Sequence, residues 1–292
     1  MRALIIGANG QLASKLLSTV PAGVQPGSVS RAECDITDLP TVEKVFRSFR
    51  PDIIINTAAY TAVDAAEENR ELAYQVNARG AGNVAQAAQH VGSRLIHIST
   101  DYVFDGRRST PYPPEAPTHP LNVYGASKLA GEDAVRMESP DALIIRSSWL
   151  YSTTGKNFLL SILDLLRRGA TPKVVTDQRG SPTLAADLAD MLWLCTGRTD
   201  LRGIYHFTNA GDSSWYEFAC EIRALLVGEG APTRVPEIVP VTSAQYNAPA
   251  ARPRYSVLDS GALLRVLHRS ARSWEAALRQ AFAEIAGRAR TS

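Results

Sequence analysis

A glycine-rich turn between an apolar strand and a helix, at the start of the chain, constrains the fold more than any other feature. Residues 3–6 predict a buried strand, residues 11–20 predict a helix, and residues 7–13 between them read GANGQLA. This G-x-x-G-x-x-A spacing is typical of a dinucleotide-binding βαβ unit, although an ordinary strand-to-helix turn is the alternative. Gly7 allows a tight turn, Gly10 lets a pyrophosphate approach the backbone, and the helix N-terminus offers free N–H groups.

Short apolar runs alternate with longer amphipathic stretches through the first half of the chain, which predicts an α/β fold with a parallel sheet. Further strands are predicted at 52–55, 94–98 and 142–145, crossover helices at 73–90 and 124–137, later helices at 157–168 and 184–194, and a terminal helix after residue 270. Five prolines between residues 110 and 120 predict a surface loop.

The predicted architecture is a Rossmann-type doubly wound parallel sheet with a smaller, partly interleaved C-terminal substrate lobe. We assign residues 1–150 to the dinucleotide-binding domain. Residues 151–292 are mainly the substrate-binding lobe, from which some segments return to the Rossmann domain.

Composition excludes several classes of protein. Lysine plus arginine total 31 against 29 for aspartate plus glutamate, so nucleic acid is not the expected partner. No apolar run approaches the roughly 20 residues that span a bilayer, and no cleavable leader is recognisable, so the expected location is the cytoplasm, without membrane attachment. Cys34, Cys195 and Cys220 lack the spacing of a zinc or redox site and are expected to be buried reduced thiols.

Tyr124 and Lys128 stand four residues apart at the start of a predicted helix, so their side chains share one face. A tyrosine hydroxyl titrates near pH 10, and a nearby ammonium group stabilises the phenolate that forms when it gives up its proton. Tyr124 can therefore protonate the alkoxide produced by ketone reduction, while Thr100 hydrogen-bonds the same oxygen. The alternative is a surface pair that supports the helix.

An acidic residue at the end of the second strand usually selects NAD, but Ser30 and Arg31 occupy that region here. The arginine favours NADPH as the cofactor, with NADH as the alternative. A solvated arginine on a loop would give the same pattern.

Eight ordered segments resemble the extended short-chain dehydrogenases/reductases and, within them, the dTDP-4-dehydrorhamnose reductases. They are GANGQLA at 7–13, RPDIIINTAAYTAVDAAE at 50–67, STDYVFDG at 99–106, PLNVYGASKLAGE at 120–132, RSSWLY at 146–151, DQRGSPT at 177–183, GIYHFTNAG at 203–211 and ARPRYSVLD at 251–259. The resemblance implies an oxidoreductase that reduces the C4 ketone of dTDP-6-deoxy-L-lyxo-4-hexulose to dTDP-L-rhamnose, a precursor of cell-surface polysaccharides.

The resemblance also implies roles for individual residues. The catalytic positions are Tyr124, Lys128 and Thr100. The cofactor positions are Gly7, Gly10, Gln11, Leu12, Ser30, Arg31, Asp35, Ile36, Ala58, Ala59, Tyr60 and Thr61, together with Tyr124 and Lys128. The substrate positions are Thr100, Asp101, Trp149, Asn157, Arg179 and Arg252. His97 and His206 lie in apolar strands and are interpreted as core histidines, with neither a catalytic nor a metal role.

One residue departs from the family pattern. Some members dimerise through a divalent cation held by glutamates, one of them on the first helix, where this chain has Lys15. A lysine disfavours a cation. We therefore expect no bound metal and a monomer or weak homodimer.

Two other functions remain open. Nucleotide-sugar epimerases and dehydratases share the glycine turn and the tyrosine pair, but a dehydratase uses two acids where Ser99-Thr100-Asp101 offers one. A non-catalytic NADP-binding regulatory subunit would also keep an inherited site. Turnover of a sugar nucleotide would separate these functions.

Overall fold

The computed structural model describes residues 1–228 and 235–291, with side chains through residue 287. The strands are β1 Arg2–Ile6, β2 Gln25–Val29, β3 Ile53–Asn56, β4 Arg94–Thr100, β5 Leu143–Ser147, β6 Leu150–Tyr151, β7 Lys173–Val175, β8 Arg179–Gly180, β9 Thr183–Leu184, β10 Gly203–His206, β11 Ser213–Ser214 and β12 Val239–Val241. The helices are α1 Gln11–Ser18, α2 Leu39–Phe49, α3 Val63–Glu68, α4 Arg70–Tyr74, α5 Ala81–His90, α6 Val123–Glu138, α7 Phe158–Arg167, α8 Ala185–Thr196, α9 Trp215–Gly228, α10 Ser243–Tyr246, α11 Gly261–Leu267 and α12 Trp274–Thr291.

Six parallel strands form the central sheet in the order β10-β5-β4-β3-β1-β2. The chain reverses its direction across the sheet at β1, which pairs with β2 on one side and with β3 on the other. Such a switch point opens a crevice at the carboxyl ends of the strands, where α/β proteins bind their ligands. The turn after β1 and the segment after β3 border this crevice.

Both faces of the sheet are covered, as the apolar character of its strands requires. One face carries Ile5, Ile55, Ile96 and Ile145 and packs on leucines of α1, α8 and α11. The other face carries Ile6, Ile54, Leu95 and Ile144 and packs on apolar residues of α2, α5 and α6. The fold is therefore the doubly wound α/β fold predicted from the sequence.

A second core lies in the C-terminal half, where α7, α9 and α12 pack around Phe218, Leu163 and Leu278. Short two-stranded sheets join the segments of this lobe, among them β6 with β9 and β7 with β12. Other segments of the same half belong to the main sheet: β10 pairs with β5, and α8 and α11 cover one face. The lobe and the sheet domain are thus interleaved in sequence.

The predicted helix over 73–90 is divided in the structure, since a π-helical stretch, Gln75–Gly80, joins α4 to α5. In this stretch, the backbone of Asn77 approaches α6 so closely that a Cβ on Gly131 would lie 2.0 Å from the Asn77 carbonyl oxygen. Asn77 also donates to Ser127 Oγ at 2.9 Å. These contacts dock α6, and the site residues at its N-terminus, against the sheet domain.

Cys34 and Cys195 are buried free thiols, as expected, but Cys220 is only partly buried. It lies on α9, outside the buried residues of that helix. The prediction that all three thiols are buried was therefore wrong for Cys220. None of the described helices is long and apolar enough to cross a membrane.

Candidate active site

A cavity of about 630 Å³ lies at the carboxyl ends of β1, β3 and β4. Most of the residues that the sequence singled out line it: Gly7, Gly10, Gln11, Leu12, Arg31, Asp35, Ile36, Ala58, Ala59, Tyr60, Thr61, Thr100, Asp101, Tyr124, Lys128 and Trp149. The fold thus brings together residues that are spread over the first half of the chain.

The glycine turn has the shape that a dinucleotide requires. Gly7 has φ +92°, and a Cβ there would lie 3.0 Å from the backbone nitrogen of Ala58. The N–H of Gly10 donates to the Gly7 carbonyl at 2.8 Å, which closes the turn. No side chain caps α1, so its first N–H groups face the cavity without a protein acceptor among the described residues. A pyrophosphate fits this cradle.

Arg31 and Asp35 line the same cavity, and Arg31 Nε lies 3.7 Å from Asp35 Oδ2. The Arg31 side chain is 74% exposed, so it is free to turn toward a phosphate. Ser30 is not among the described residues that line the cavity, and its hydroxyl donates to Glu33 at 2.7 Å. Its predicted contact with the cofactor stays a prediction.

The N-terminus of α6 positions Tyr124 and Lys128. Asn122 caps the helix by accepting from the N–H of Gly125 at 2.7 Å. Tyr124 and Thr100 line the same cavity. Lys128 Nζ donates to the carbonyl oxygen of Ile98 at 2.7 Å. The hydroxyl of Thr100, the phenol and the amine therefore meet at the end of β4.

Burial shifts the pKa values of Tyr124 and Lys128 in opposite directions. Burial, aided by the neighbouring Asp101 charge, raises the pKa of Tyr124 to about 12, so the phenol keeps its proton at neutral pH. Burial lowers the pKa of Lys128 to about 8, although the charge of Glu132 opposes this effect. A protonated phenol beside an amine that exchanges its proton near neutrality suits general acid catalysis.

Two buried polar atoms of residues that line the cavity have no hydrogen-bond partner within the described part of the chain: Asp101 Oδ2 and Ser147 Oγ. Both residues line the cavity. Buried polar atoms are normally paired, so unpaired ones in a cavity indicate a polar ligand. Asp101 was predicted from the sequence, whereas Ser147 was not, although it lies in the RSSWLY segment at 146–151.

Asp101→Asn is expected to stabilise the protein at pH 8 but not at pH 4. Burial raises the pKa of Asp101 from 3.8 to about 7, so the folded state binds this proton more tightly than the unfolded chain does. The stabilisation from protonated Asp101 is therefore lost as the pH rises from 3.8 to about 7. Each unit of pKa shift corresponds to about 1.4 kcal/mol. Urea unfolding at both pH values measures the difference.

Asp105→Asn is the matched control, because hydrogen bonding to the Arg107 N–H holds the pKa of Asp105 below its usual value. That variant should gain no stability at pH 8. Equal stability of Asp101→Asn and the unsubstituted protein at pH 8 would contradict the prediction.

Trp149 forms one wall of the cavity in a constrained conformation. Its φ is +47°, and its ring stacks on Trp215 with the centroids 3.6 Å apart and the planes 5° from parallel. On the lobe side, a Cβ on Gly180 would lie 2.5 Å from Trp149 Nε1. Gly180 and Trp215 thus hold the indole ring in place. No sequence motif marks Trp215, and we did not single it out.

The remaining predicted substrate residues, Asn157, Arg179 and Arg252, are not among the described residues that line the cavity. Arg252 forms a bidentate pair with Asp64, and Arg179 pairs with Asp212 at 2.6 Å. Asn157 caps α7 and donates to the Gln11 side chain at 2.8 Å. Their substrate contacts stay predictions.

A hydrogen-bonded loop extends the site over the glycine turn. The Gln11 side chain donates to the carbonyl oxygen of Lys156 at 3.1 Å and accepts from Asn157. Gly155 and Lys156 also line the cavity. Sequence reasoning did not single them out, because only this fold brings residues 155–156 beside the turn.

Lys15 Nζ lies 2.9 Å from Glu284 Oε1 and 3.2 Å from Thr153 Oγ1. The ammonium thus occupies a position between α1, the loop after β6 and α12. Across residues 1–228 and 235–287, no cluster of three or more histidine, cysteine, aspartate or glutamate side chains could hold a metal ion. The expectation of no bound metal stays a prediction.

Comparisons with known proteins identify the family. Residues 1–286 match the model of the RmlD substrate binding domain. The dTDP-4-dehydrorhamnose reductase of Burkholderia thailandensis is 41% identical over 273 residues, which cover 90% of this chain and 92% of that protein. The protein of the same name from Mycobacterium tuberculosis is 42% identical over 290 residues, or 97% of this chain and 92% of the relative.

A solved structure agrees with this. The dTDP-4-dehydrorhamnose reductase of Bacillus anthracis, crystallised in complex with NADP, superposes with a TM-score of 0.90 at 41% identity. The match covers 97% of this chain and 99% of that one. The chain therefore belongs to the dTDP-4-dehydrorhamnose reductase family, within the extended short-chain dehydrogenases/reductases.

Proposed function

We propose that this protein uses NADPH to reduce the C4 ketone of dTDP-6-deoxy-L-lyxo-4-hexulose to dTDP-L-rhamnose. One observation carries the proposal: Tyr124, Thr100 and Lys128 meet in the cavity that the glycine turn borders. Family membership supports the choice of substrate, and Asp101 as the one acid beside Thr100 favours a reductase over a dehydratase. NADH is the alternative cofactor.

The proposed roles follow from the geometry. A bound reduced nicotinamide supplies the hydride. Tyr124 donates its hydroxyl proton to the oxygen of the former ketone, and Thr100, which lines the same cavity, holds that oxygen in place. Lys128 stabilises the phenolate by its positive charge and holds the ribose hydroxyls of the cofactor. Asp101 and Ser147 bind sugar hydroxyls through their unpaired oxygens.

The first test mixes the purified protein with freshly generated dTDP-6-deoxy-L-lyxo-4-hexulose and either NADPH or NADH. We expect loss of absorbance of the reduced nicotinamide, faster with NADPH, and dTDP-L-rhamnose as the product. Binding of NADPH without turnover would favour the regulatory-subunit alternative. Turnover of a different sugar nucleotide would keep the chemistry and overturn the substrate.

Gly180→Ala is expected to raise the KM for the sugar nucleotide roughly tenfold, the effect of losing about 1.4 kcal/mol of binding. The new methyl group would overlap the Trp149 ring and push it out of its stack on Trp215. The Kd of NADPH should not change, because the glycine turn lies apart from this contact. Steady-state kinetics and fluorescence titration measure the two quantities.

Gly197→Ala provides the control, because the nearest contact of its added Cβ is 3.8 Å away. It should leave KM unchanged. If Gly180→Ala binds the sugar nucleotide normally, Trp149 does not form the substrate wall.

The oligomeric state and location are also proposals. A monomer or weak homodimer is expected, and sedimentation at several concentrations would distinguish these from a stable oligomer. The cytoplasmic location expected from the sequence stays a prediction.

A further inference from the structure

His97 lies against Lys128 in a buried hydrogen-bond chain that the proposed mechanism does not use. The chain begins at the Ala58 N–H, which donates to Asn56 Oδ1 at 3.1 Å. Asn56 Nδ2 lies 3.2 Å from His97 Nδ1, and His97 Nε2 lies 3.4 Å from Lys128 Nζ. Asn56 and His97 are directly paired neighbours on β3 and β4.

The chain determines the tautomer of the imidazole. The N–H of Ala58 requires an acceptor, so the amide oxygen of Asn56 faces Ala58 and its NH₂ group faces His97. An NH₂ donor requires Nδ1 to be an unprotonated acceptor. His97 is 1% exposed, and burial together with the Lys128 charge lowers its pKa well below 6.5, so the ring is neutral. Its proton therefore resides on Nε2.

This tautomer directs an N–H group at the amine of Lys128. A neutral amine accepts that hydrogen bond through its lone pair. An ammonium group has no lone pair, and its positive charge is repelled by the positive end of the N–H dipole. Lys128 keeps its own donor bond to the Ile98 carbonyl oxygen in either state. The contact with His97 thus discriminates between the two protonation states of Lys128.

We infer that Asn56 and His97 are positioning residues for Lys128: Asn56 selects the Nε2–H tautomer of His97, and His97 in turn favours the neutral amine. The inference rests on the role proposed for Lys128. A loosely held ammonium proton is useful there, because Tyr124 must regain a proton after each turnover. The other titratable groups around the amine are Glu132 and Tyr124 on α6 and Asp101 after β4.

Glu132 also lies near Lys128, but it does not favour the neutral amine as His97 does. Its carboxylate is bonded to Arg146 at 2.8 and 2.6 Å and accepts from Ser99 Oγ at 2.5 Å. Its charge raises the pKa of Lys128 and so acts against burial. Asp101 and Tyr124 line the cavity. The N–H contact from His97 therefore lowers the pKa of Lys128, as burial does.

The tautomer can be measured without turnover, using ¹⁵N-histidine-labelled full-length protein without cofactor. Long-range ¹H–¹⁵N spectra distinguish a protonated from an unprotonated ring nitrogen, and His97→Gln assigns the signals. We expect His97 to be protonated at Nε2. In Asn56→Asp, a carboxylate accepts from both Ala58 and the ring, so the proton should move to Nδ1. An Nδ1–H tautomer in the unsubstituted protein would overturn the inference.

The effect on Lys128 is measured by titrating ¹³C-labelled lysine side chains, assigned with Lys128→Met. His97→Phe keeps the site buried and removes the N–H group, so the pKa of Lys128 should rise by roughly one unit, tenfold in proton affinity. The alkaline limb of the kcat–pH profile should then move to higher pH by a similar amount. His206→Phe removes another fully buried histidine and should change neither value.

An unchanged Lys128 pKa in His97→Phe would refute the role of His97. Because both NMR measurements need no substrate, a wrong substrate assignment in the preceding proposal would leave them interpretable. A shifted pKa without any turnover would support the positioning role and contradict the proposed reaction.

Discussion

Tyr124→Phe should lower kcat for ketone reduction about a thousandfold, within the usual range for losing a general acid. The substitution removes only the hydroxyl group, whose raised pKa keeps it protonated. The Kd of NADPH should change little, because the ring remains in the cavity wall. Single-turnover kinetics with saturating substrate measure the chemical step, and fluorescence titration measures NADPH binding.

Tyr74→Phe is the control for loss of a tyrosine hydroxyl. Tyr74 packs in the same small apolar cluster as Tyr124, but it is not among the described residues that line the cavity. Its variant should retain full activity. If Tyr124→Phe turned over at the normal rate, another group would have to donate the proton.

Glu132→Gln should destabilise the fold by about 3–5 kcal/mol, the cost of leaving one charge of a buried pair without its partner. Glu132 and Arg146 are 1% and 3% exposed and form a bidentate pair. The guanidinium also lies 5.1 Å from the Phe104 ring centroid. Neutralising the carboxylate leaves Arg146 charged inside the core. The midpoint and slope of urea unfolding measure the loss.

The double variant Glu132→Leu/Arg146→Met separates the lost attraction from the buried charge. Apolar replacement of a whole buried pair is often close to neutral, so the double variant should be more stable than Glu132→Gln. Equal instability of the two proteins would mean that Ser99 and the Pro114 carbonyl, which also bond this pair, carry most of the effect.

Local patterns in the sequence were sufficient to predict much of the sheet and several of the residues that line the cavity. The first strand, the glycine turn and α6 were predicted within a few residues, because each combines apolar periodicity with a clear boundary. Tyr124 and Lys128 needed only their spacing on a helix. Thr100 followed from its place at the end of a strand. The order of parallel strands then brings these residues together.

Other features depend on contacts between distant segments. Pro26 and Gly27 are poor strand residues, so β2 carries no strand pattern, and its pairing with β1 at the edge of the sheet decides its structure. Trp215 stacks on Trp149 although 65 residues separate them in the chain, so no local pattern could predict this contact. His97 was interpreted as a core histidine because its strand is apolar; burial alone does not reveal that its ring meets Lys128.

The position of β10 implies an order of assembly during synthesis. This strand completes the sheet beside β5, although the whole stretch from β6 to α8 lies between them in the chain. Until residue 206 has left the ribosome, β5 presents an open, apolar edge of the kind that pairs with other chains. A fragment ending at residue 150 should therefore aggregate, which light scattering would detect, and a monomeric fragment would contradict this. Nascent chains of this protein would then depend on chaperones until β10 has been made.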